Sequence, residues 1–393
     1  MDPALLAGVR VLDLTTFLSG PVATRALGQL GAEVVKIEPP SGDPTRAGLG
    51  MRPGQPFLEF WWQLHRGRRS VVLDLKSAAG RELLLALAAR ADVLVENFRP
   101  GVMQRLGLAP EALRKENRRL VTCSITGFGA DGPAADAPAL DAAVQAFAGA
   151  FEYPAVFGMP AGPIPITVAD LSGGATAAQA IVAALFARER SGEGCHLALS
   201  LAETLLQWLV VSDRLGTLRS PATILAEGSD GGRFIVQTTL HFRDRLLEIL
   251  DAEPATAGLA RDPRFASWEA RVANAPAFVA AARRAFAARP RAEWLARLAA
   301  GGIPAGPVQT IAEALVHPQL AHAGATAVAG GHRVPRSPFV IDGGRADDTS
   351  PPPLLGEHSA DVIAEWLGTG EERLAELRAA GAFGPPTPET APR

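Results

Sequence analysis

The sequence predicts an α/β protein. Its large domain carries a parallel, Rossmann-like sheet and is built from both ends of the chain, with a smaller α+β domain inserted between them. Three observations predict this. The first 200 or so residues alternate between short apolar segments and longer helical ones with short links, the pattern of a parallel sheet covered on both faces. From about Ser212 the texture changes to glycine- and proline-bearing loops and alanine–arginine stretches. The tail regains a strand, a proline-rich stretch and a helix that returns to the first domain. The expected boundaries are 1–205 and 326–393 for the large domain and 206–325 for the small one.

Val9 to Leu14 is a short apolar strand. Ser19 and Pro21 in TTFLSGP suit a helix start, because a proline there gives up an amide that has no partner anyway. The helix runs through ATRALGQLG, and AEVVKIE is the second strand. SVVLDL, ADVLVEN and RLVTCSIT read as further strands, and SAAGRELLLALAAR and PEALRKEN as helices. VADLSGG, residues 168–174, reads as a buried strand end handing over to the helix ATAAQAIVAALFARER, which Gly192 and Gly194 close. CHLALSLAETLLQWLVV gives one more strand and helix. In the inserted part RFIVQTTL is a strand, and a long helical stretch runs from His241 to about Leu298. The final segment, GPPTPETAPR, reads as disordered.

Composition narrows the function. At 393 residues the chain buries a substantial core, and 48% hydrophobic and 20% charged residues are ordinary for a soluble globular protein. A net charge of −3 gives no basis for nucleic acid or an acidic membrane surface as the main partner. Cys123 and Cys195 occur singly, and Cys195-His196 lacks a second pair at zinc spacing, so no metal site is expected. The opening MDPALLAGVRVLDL has no basic flank before a long apolar core, and no uninterrupted apolar stretch reads as bilayer-spanning. The expectation is a reduced, cytoplasmic protein with no membrane partner.

Familiar cofactor motifs are absent. GFGADG, Gly127 to Gly132, fits G-x-G-x-x-G after a strand, but a dinucleotide fingerprint must open a helix, and Pro133 and Pro138 forbid a regular one across that span. The sequence holds no G-x-x-x-x-G-K-[ST], H-E-x-x-H or G-x-S-x-G. What stands out is Asp170. It reads either as the N-cap of the helix after it or as a carboxylate nucleophile. A cap alone leaves the paired Gly173 and Gly174 unexplained. With the helix starting near Ser172, they would let a ligand approach free backbone amides suited to an oxyanion.

Eight segments occur in one order at one spacing. They are RVLDLTTFLSGPVATRALGQLGAEVVKIEPPSGDPTR, HRGRRSVVLDLK, VENFRPGVMQRLGL, SITGFGADGP, VADLSGG, DPRFASWEARVAN, GIPAGPV and PPPLLGEH. In these the chain resembles, over almost its whole length, the family III coenzyme A transferases, the family of formyl-CoA and carnitine CoA-transferases. The resemblance implies an interlocked homodimer that moves coenzyme A from an acyl-CoA donor to a carboxylic acid. Such an exchange uses no ATP, metal or permanently bound cofactor. Non-catalytic acyl-CoA binding is the weaker alternative, given an intact Asp170. The fold also serves 2-methylacyl-CoA racemases, which carry a histidine where this chain has Leu140.

The resemblance puts the family's nucleophilic aspartate on Asp170. It puts coenzyme A contacts on Leu18 and Ser19, on Leu73, Asp74, Leu75 and Lys76, and on Asn97, Phe98 and Arg99. Further contacts fall on Arg105 and on Pro138, Ala139, Leu140 and Asp141. Lys76, Arg99 and Arg105 suit phosphates, although each alone also reads as a solvated loop charge, and Asn97 also reads as a turn residue. Pro39 and Pro40 stand where formyl-CoA transferase has arginines near the adenine. The glycine-rich lid of that enzyme has no clear counterpart, GSDGG (Gly228 to Gly232) being the nearest candidate.

Overall fold

A computed structural model of the chain describes residues 4–46, 58–156, 160–209, 223–238, 242–329, 331–345 and 350–384. The chain divides into two compact units, one of Met1–Phe151, Gly162–Val211 and His322–Arg393, the other of Glu152–Ala161 and Ser212–Ala321. The segment after Gly384, expected to be disordered, lies outside the described residues.

The first unit is built on six strands, β1 (Arg10–Asp13), β2 (Glu33–Glu38), β3 (Arg69–Val72), β4 (Val93–Glu96), β5 (Val121–Thr126) and β6 (His196–Ser200). They pair in the order β3-β2-β1-β4-β5-β6, every pair parallel. This is the doubly wound order, whose direction reverses between β1 and β4, and ligands of such sheets bind at the carboxyl ends of the strands near that reversal. The helices before β6 are α1 (Ser19–Gln29), α2 (Leu58–His65), α3 (Ala78–Ala88), α4 (Val102–Arg105), α5 (Pro110–Glu116), α6 (Asp141–Phe147), the short α7 (Tyr153–Val156) and α8 (Val168–Ser191). α9 (Leu201–Trp208) follows β6 directly.

Both sheet faces are covered, which is why the strands read as continuous apolar runs. Leu12, Val35, Val71 and Leu94 pack with Leu83, Leu84 and Leu87 of α3 and with Val362, Ile363 and Trp366 from the chain's far end. α1 packs along α8 and also meets β1, β2 and β4, while α8 meets β5 and β6. The edge of β3 is closed by the tail rather than by another strand. The amide of His358 donates to Ser70 O at 3.0 Å, and Ser359 Oγ accepts the Val72 amide at 3.1 Å. Buried charges pin the carboxyl edge: Lys36 Nζ lies 2.9 Å from Asp43 Oδ2 and donates to Thr15 O at 2.8 Å, and Asp13 pairs with Arg68.

The second unit holds a three-stranded antiparallel sheet of β7 (Thr223–Glu227), β8 (Arg233–Gln237) and β9 (Ala305–Pro307). The single long helical stretch expected over 241–298 is instead four α-helices, α10 (Arg243–Asp251), α11 (Trp268–Ala273), α12 (Ala275–Phe286) and α13 (Arg291–Ala300), with two short 3₁₀ turns after α10. Pro254, Gly258, Pro263 and Pro290 break it. GSDGG is the β7–β8 turn, with Asp230 Oδ1 accepting the amides of Gly232 and Arg291, both at 3.1 Å. α14 (Ile311–Leu315) and α15 (Pro318–His322) follow. The chain's last elements are the hairpin of β10 (Thr326–Ala329) and β11 (His332–Pro335), then α16 (Ser359–Leu367) and α17 (Glu371–Ala379). α17 had not been expected as a separate helix.

Candidate active site

Most of the residues singled out in sequence lie on the loops that leave the carboxyl ends of β1, β3, β4 and β5, with Arg105 in α4, Asp141 at the start of α6, and Asp170, Gly173 and Gly174 in α8. The β1 and β4 loops flank the reversal and are tied together by Asn97. Its Oδ1 accepts the Thr16 amide and its Nδ2 donates to Thr16 O, both at 2.8 Å. Phe17 follows with φ of 62°, a left-handed backbone unusual for a bulky residue. Leu18 and Ser19 then start α1, both buried.

After β3, Leu73 is buried in the core and Leu75 packs against it. The Asp74 amide donates to Ala382 O at 2.8 Å, and Asp74 Oδ1 accepts the Lys76 amide at 3.0 Å, shaping the turn into α3. Phe98 also packs on this core, its amide donating to Glu96 Oε2 at 2.8 Å. Leu73, Leu75 and Phe98 thus set the loops with their side chains inward. Lys76, Arg99 and Arg105 are exposed and form no ion pair among the described residues. Pro138 is exposed, Ala139 half-buried, and Leu140 is 69% exposed at the start of α6.

Asp170 sits differently from the sequence expectation. VADLSGG is no strand end: Val168 is the first residue of α8, and Asp170 lies within its first turn. The cap comes from elsewhere. Asp141 Oδ1 accepts the amides of Ala169 at 2.9 Å and Asp170 at 3.0 Å, while the amides of Val168 and Leu171 donate to Ile166 O and Thr167 O. Asp170 is therefore not an N-cap, and the α8 amides expected to be free are engaged.

Gly173 and Gly174 are corrected with it. They lie buried inside the helix, where their amides belong to the helical ladder. Their lack of a side chain serves packing instead. A Cβ on Gly173 would lie 2.1 Å from Leu201 Cδ2, and one on Gly174 would lie 2.5 Å from Ser19 O and 2.7 Å from Val22 Cβ. The close approach at Gly174 sets the start of α1, with Ser19, against α8 one turn beyond Asp170.

The half-buried Asp170 carboxyl is pushed up to about 7, first by burial, then by the negative charge of Asp141, with a Ser19 side-chain hydrogen bond opposing both. Glu96, at the carboxyl end of β4, is also raised by burial. Burial pushes the Cys123 thiol up to about 12, so that residue is core rather than nucleophile. No group of three or more metal-ligating side chains occurs among the described residues. Sequence reasoning missed Gln145, which lies 1% exposed beneath Asp141 and hydrogen-bonds it, although its spacing four residues along a helix was a readable signal.

The chain matches the family described as CoA-transferase family III over residues 6–359. It belongs to CoA-transferase family III. It is 37% identical to acetyl-CoA:oxalate CoA-transferase of Acetobacter aceti, with 91% of this chain and 95% of that one covered. It is 34% identical to succinate–glutarate CoA-transferase of Agrobacterium fabrum, with 92% and 95% covered. The crystal structure of Rv3272 from Mycobacterium tuberculosis has a TM-score of 0.78 at 33% identity, covering 90% of this chain and 98% of that one. The protein is thus a family III CoA-transferase whose substrates are CoA thioesters.

Proposed function

We propose that the protein moves coenzyme A from an acyl-CoA to a free carboxylic acid with Asp170 as the nucleophile. The observation that carries this reading is the Asp170 carboxyl, raised to about 7 at the amino end of α8, on the side of the sheet where ligands of doubly wound folds bind. A less acidic carboxylate, once ionised, is the stronger nucleophile, and partial burial strips it of water. The ionised oxygen attacks the thioester carbonyl, forming a mixed anhydride and releasing the CoA thiolate. The thiolate attacks the aspartyl carbonyl, giving an aspartyl-CoA thioester and the free donor acid. The acceptor carboxylate attacks that thioester and the thiolate leaves again. It then attacks the acceptor's acyl carbon, which restores Asp170 and releases the new acyl-CoA. Every bond broken is matched by one formed, so no external energy source enters.

The oxalate and glutarate in the relatives' names make short dicarboxylic acids the first acceptors to try. The racemase reading is not favoured, because Leu140 carries no proton. In the test, Asp170→Ala and Asp170→Asn are assayed with a panel of acyl-CoAs and acids. Mass spectrometry meanwhile seeks an acyl or CoA adduct on the wild-type Asp170 peptide. Both variants are expected to lose turnover by at least about 10³-fold while staying folded. Wild-type turnover in either variant, or α-deuterium uptake from heavy water at a catalytic rate, would overturn the reading.

A further inference from the structure

Gln145 is a buried polar side chain to which the proposed transfer assigns no role. Gln145 lies on α6 one turn beyond Asp141, and its carboxamide is fully engaged. Nε2 donates to Asp141 Oδ2 at 2.6 Å and lies 3.3 Å and 3.2 Å from the carbonyl oxygens of Ile164 and Ile166. Oε1 accepts the Ile164 amide at 3.0 Å. Asp141 uses its other oxygen for the amides of Ala169 and Asp170. One glutamine therefore grips both the strap leading into α8 and the carboxylate that caps it.

We propose that Gln145 is a positioning residue for the transfer reaction, holding Asp141 across the amino end of α8 and so fixing the place of the Asp170 carboxyl group. Burying a polar group is costly unless every bond is made, and a mere core filler at this position would be apolar. Only a carboxamide can donate to a carboxylate and to backbone carbonyls while accepting from an amide. The clamp has an electrostatic consequence. Asp141 covers the positive end of α8, which would otherwise favour an ionised Asp170, and adds its own negative charge beside it. The elements packed against α8 carry Arg25 on α1, Asp141 on α6, Glu203 on α9, Cys123 on β5 and His196 on β6, and α8 itself ends in Arg188, Glu189 and Arg190. Of these, Asp141 is the charge that raises the Asp170 carboxyl, after burial. Loosening Asp141 removes both effects, so Asp170 should ionise at lower pH.

The proposal builds on the nucleophile reading, and its test reads Asp170 directly rather than through turnover alone. The full-length protein is labelled with carboxyl-¹³C aspartate, the Asp170 resonance is assigned by its loss in Asp170→Asn, and its midpoint is followed with pH. In Gln145→Met, of similar length but without the hydrogen bonds, the midpoint should fall below its wild-type value of about 7. Its kcat should drop by about tenfold or more with an unchanged KM for acyl-CoA. Gln145→Asn, which withdraws the carboxamide by one methylene, tests the same clamp should Gln145→Met fail to fold. Asp141→Asn should lower the midpoint in the same direction. A wild-type midpoint in a folded Gln145 variant, or in Asp141→Asn, overturns the proposal even if activity falls. If Asp170→Asn keeps turnover, the nucleophile reading fails while the titration still judges the clamp.

Discussion

In the proposed transfer Asp170 attacks as the charged carboxylate, yet its surroundings disfavour the charge. Its carboxyl is raised from 3.8 to about 7 by burial and by Asp141, so the folded chain keeps a proton that the unfolded chain releases between about pH 4 and pH 7. In that window the folded state binds more protons, and this residue's contribution to stability falls as pH rises, levelling off above about 7. The neutral Asp170→Asn variant escapes that cost. It should be more stable than wild type near pH 8, by up to about 4 kcal/mol, with the difference vanishing below about pH 4. Because Asp141 rather than Asp170 caps α8, no lost cap offsets the gain. Urea denaturation at both pH values measures it, and an Asp170→Asn protein less stable than wild type at the higher pH would contradict the burial argument. The same titration gives wild-type kcat/KM an acid limb near pH 7, falling about tenfold per unit below it.

At the scale of elements, the site depends on how closely α1 and α8 pack. Gly174 lets the helices meet where Ser19 and Val22 lie against it, so Gly174→Ala forces a methyl group against backbone oxygen and side chain alike. Overpacking of this kind costs about 1–3 kcal/mol, against at most about 1 kcal/mol gained from helix propensity. The expected result is a lowered melting temperature together with reduced turnover, since Ser19 moves with the helix start; a variant with wild-type values for both would show the contact to be slack. These glycines also explain where reading the sequence stopped. Strands β1 to β6 were legible because each is an apolar run bounded by short links, and α1, α3, α5 and the body of α8 follow the same logic, whereas α2, α4, α6 and α7 were not read. VADLSGG misled because paired glycines resemble a loop, and the cap that starts α8 at Val168 comes from Asp141 on another element. Local periodicity carries no record of such a partner. The breaks in the 241–298 stretch, by contrast, were written in Pro254, Gly258, Pro263 and Pro290.

At the scale of the whole molecule, α8 poses the remaining question. It is the one helix among the described residues long and apolar enough, by length and composition alone, to cross a membrane, a test that a core helix also passes. One side packs on α1 and the sheet, while Leu171, Val182 and Phe186 are exposed, Phe186 at 64%. Beside it α9 exposes Leu206 and Trp208, and α6 exposes Phe147. Trp208 is tied to α8 through its indole nitrogen, which donates to Thr176 Oγ1 at 3.3 Å. Apolar side chains gathered on packed neighbours in this way mark a surface that something covers. The occupant we predict is a second copy of the chain, in the interlocked homodimer that the family resemblance implies. Two chains threaded through one another bury far more than the ~1,600 Å² of a standard interface, so the pair should not separate on dilution. Light scattering should therefore give twice 41.0 kDa down to the lowest measurable concentration. Phe186→Glu and Val182→Glu together should weaken assembly, because a charge buried in an apolar interface lacks a partner. A wild-type protein that runs as a stable 41.0 kDa monomer would rule out the interlocked dimer and leave this face to another partner.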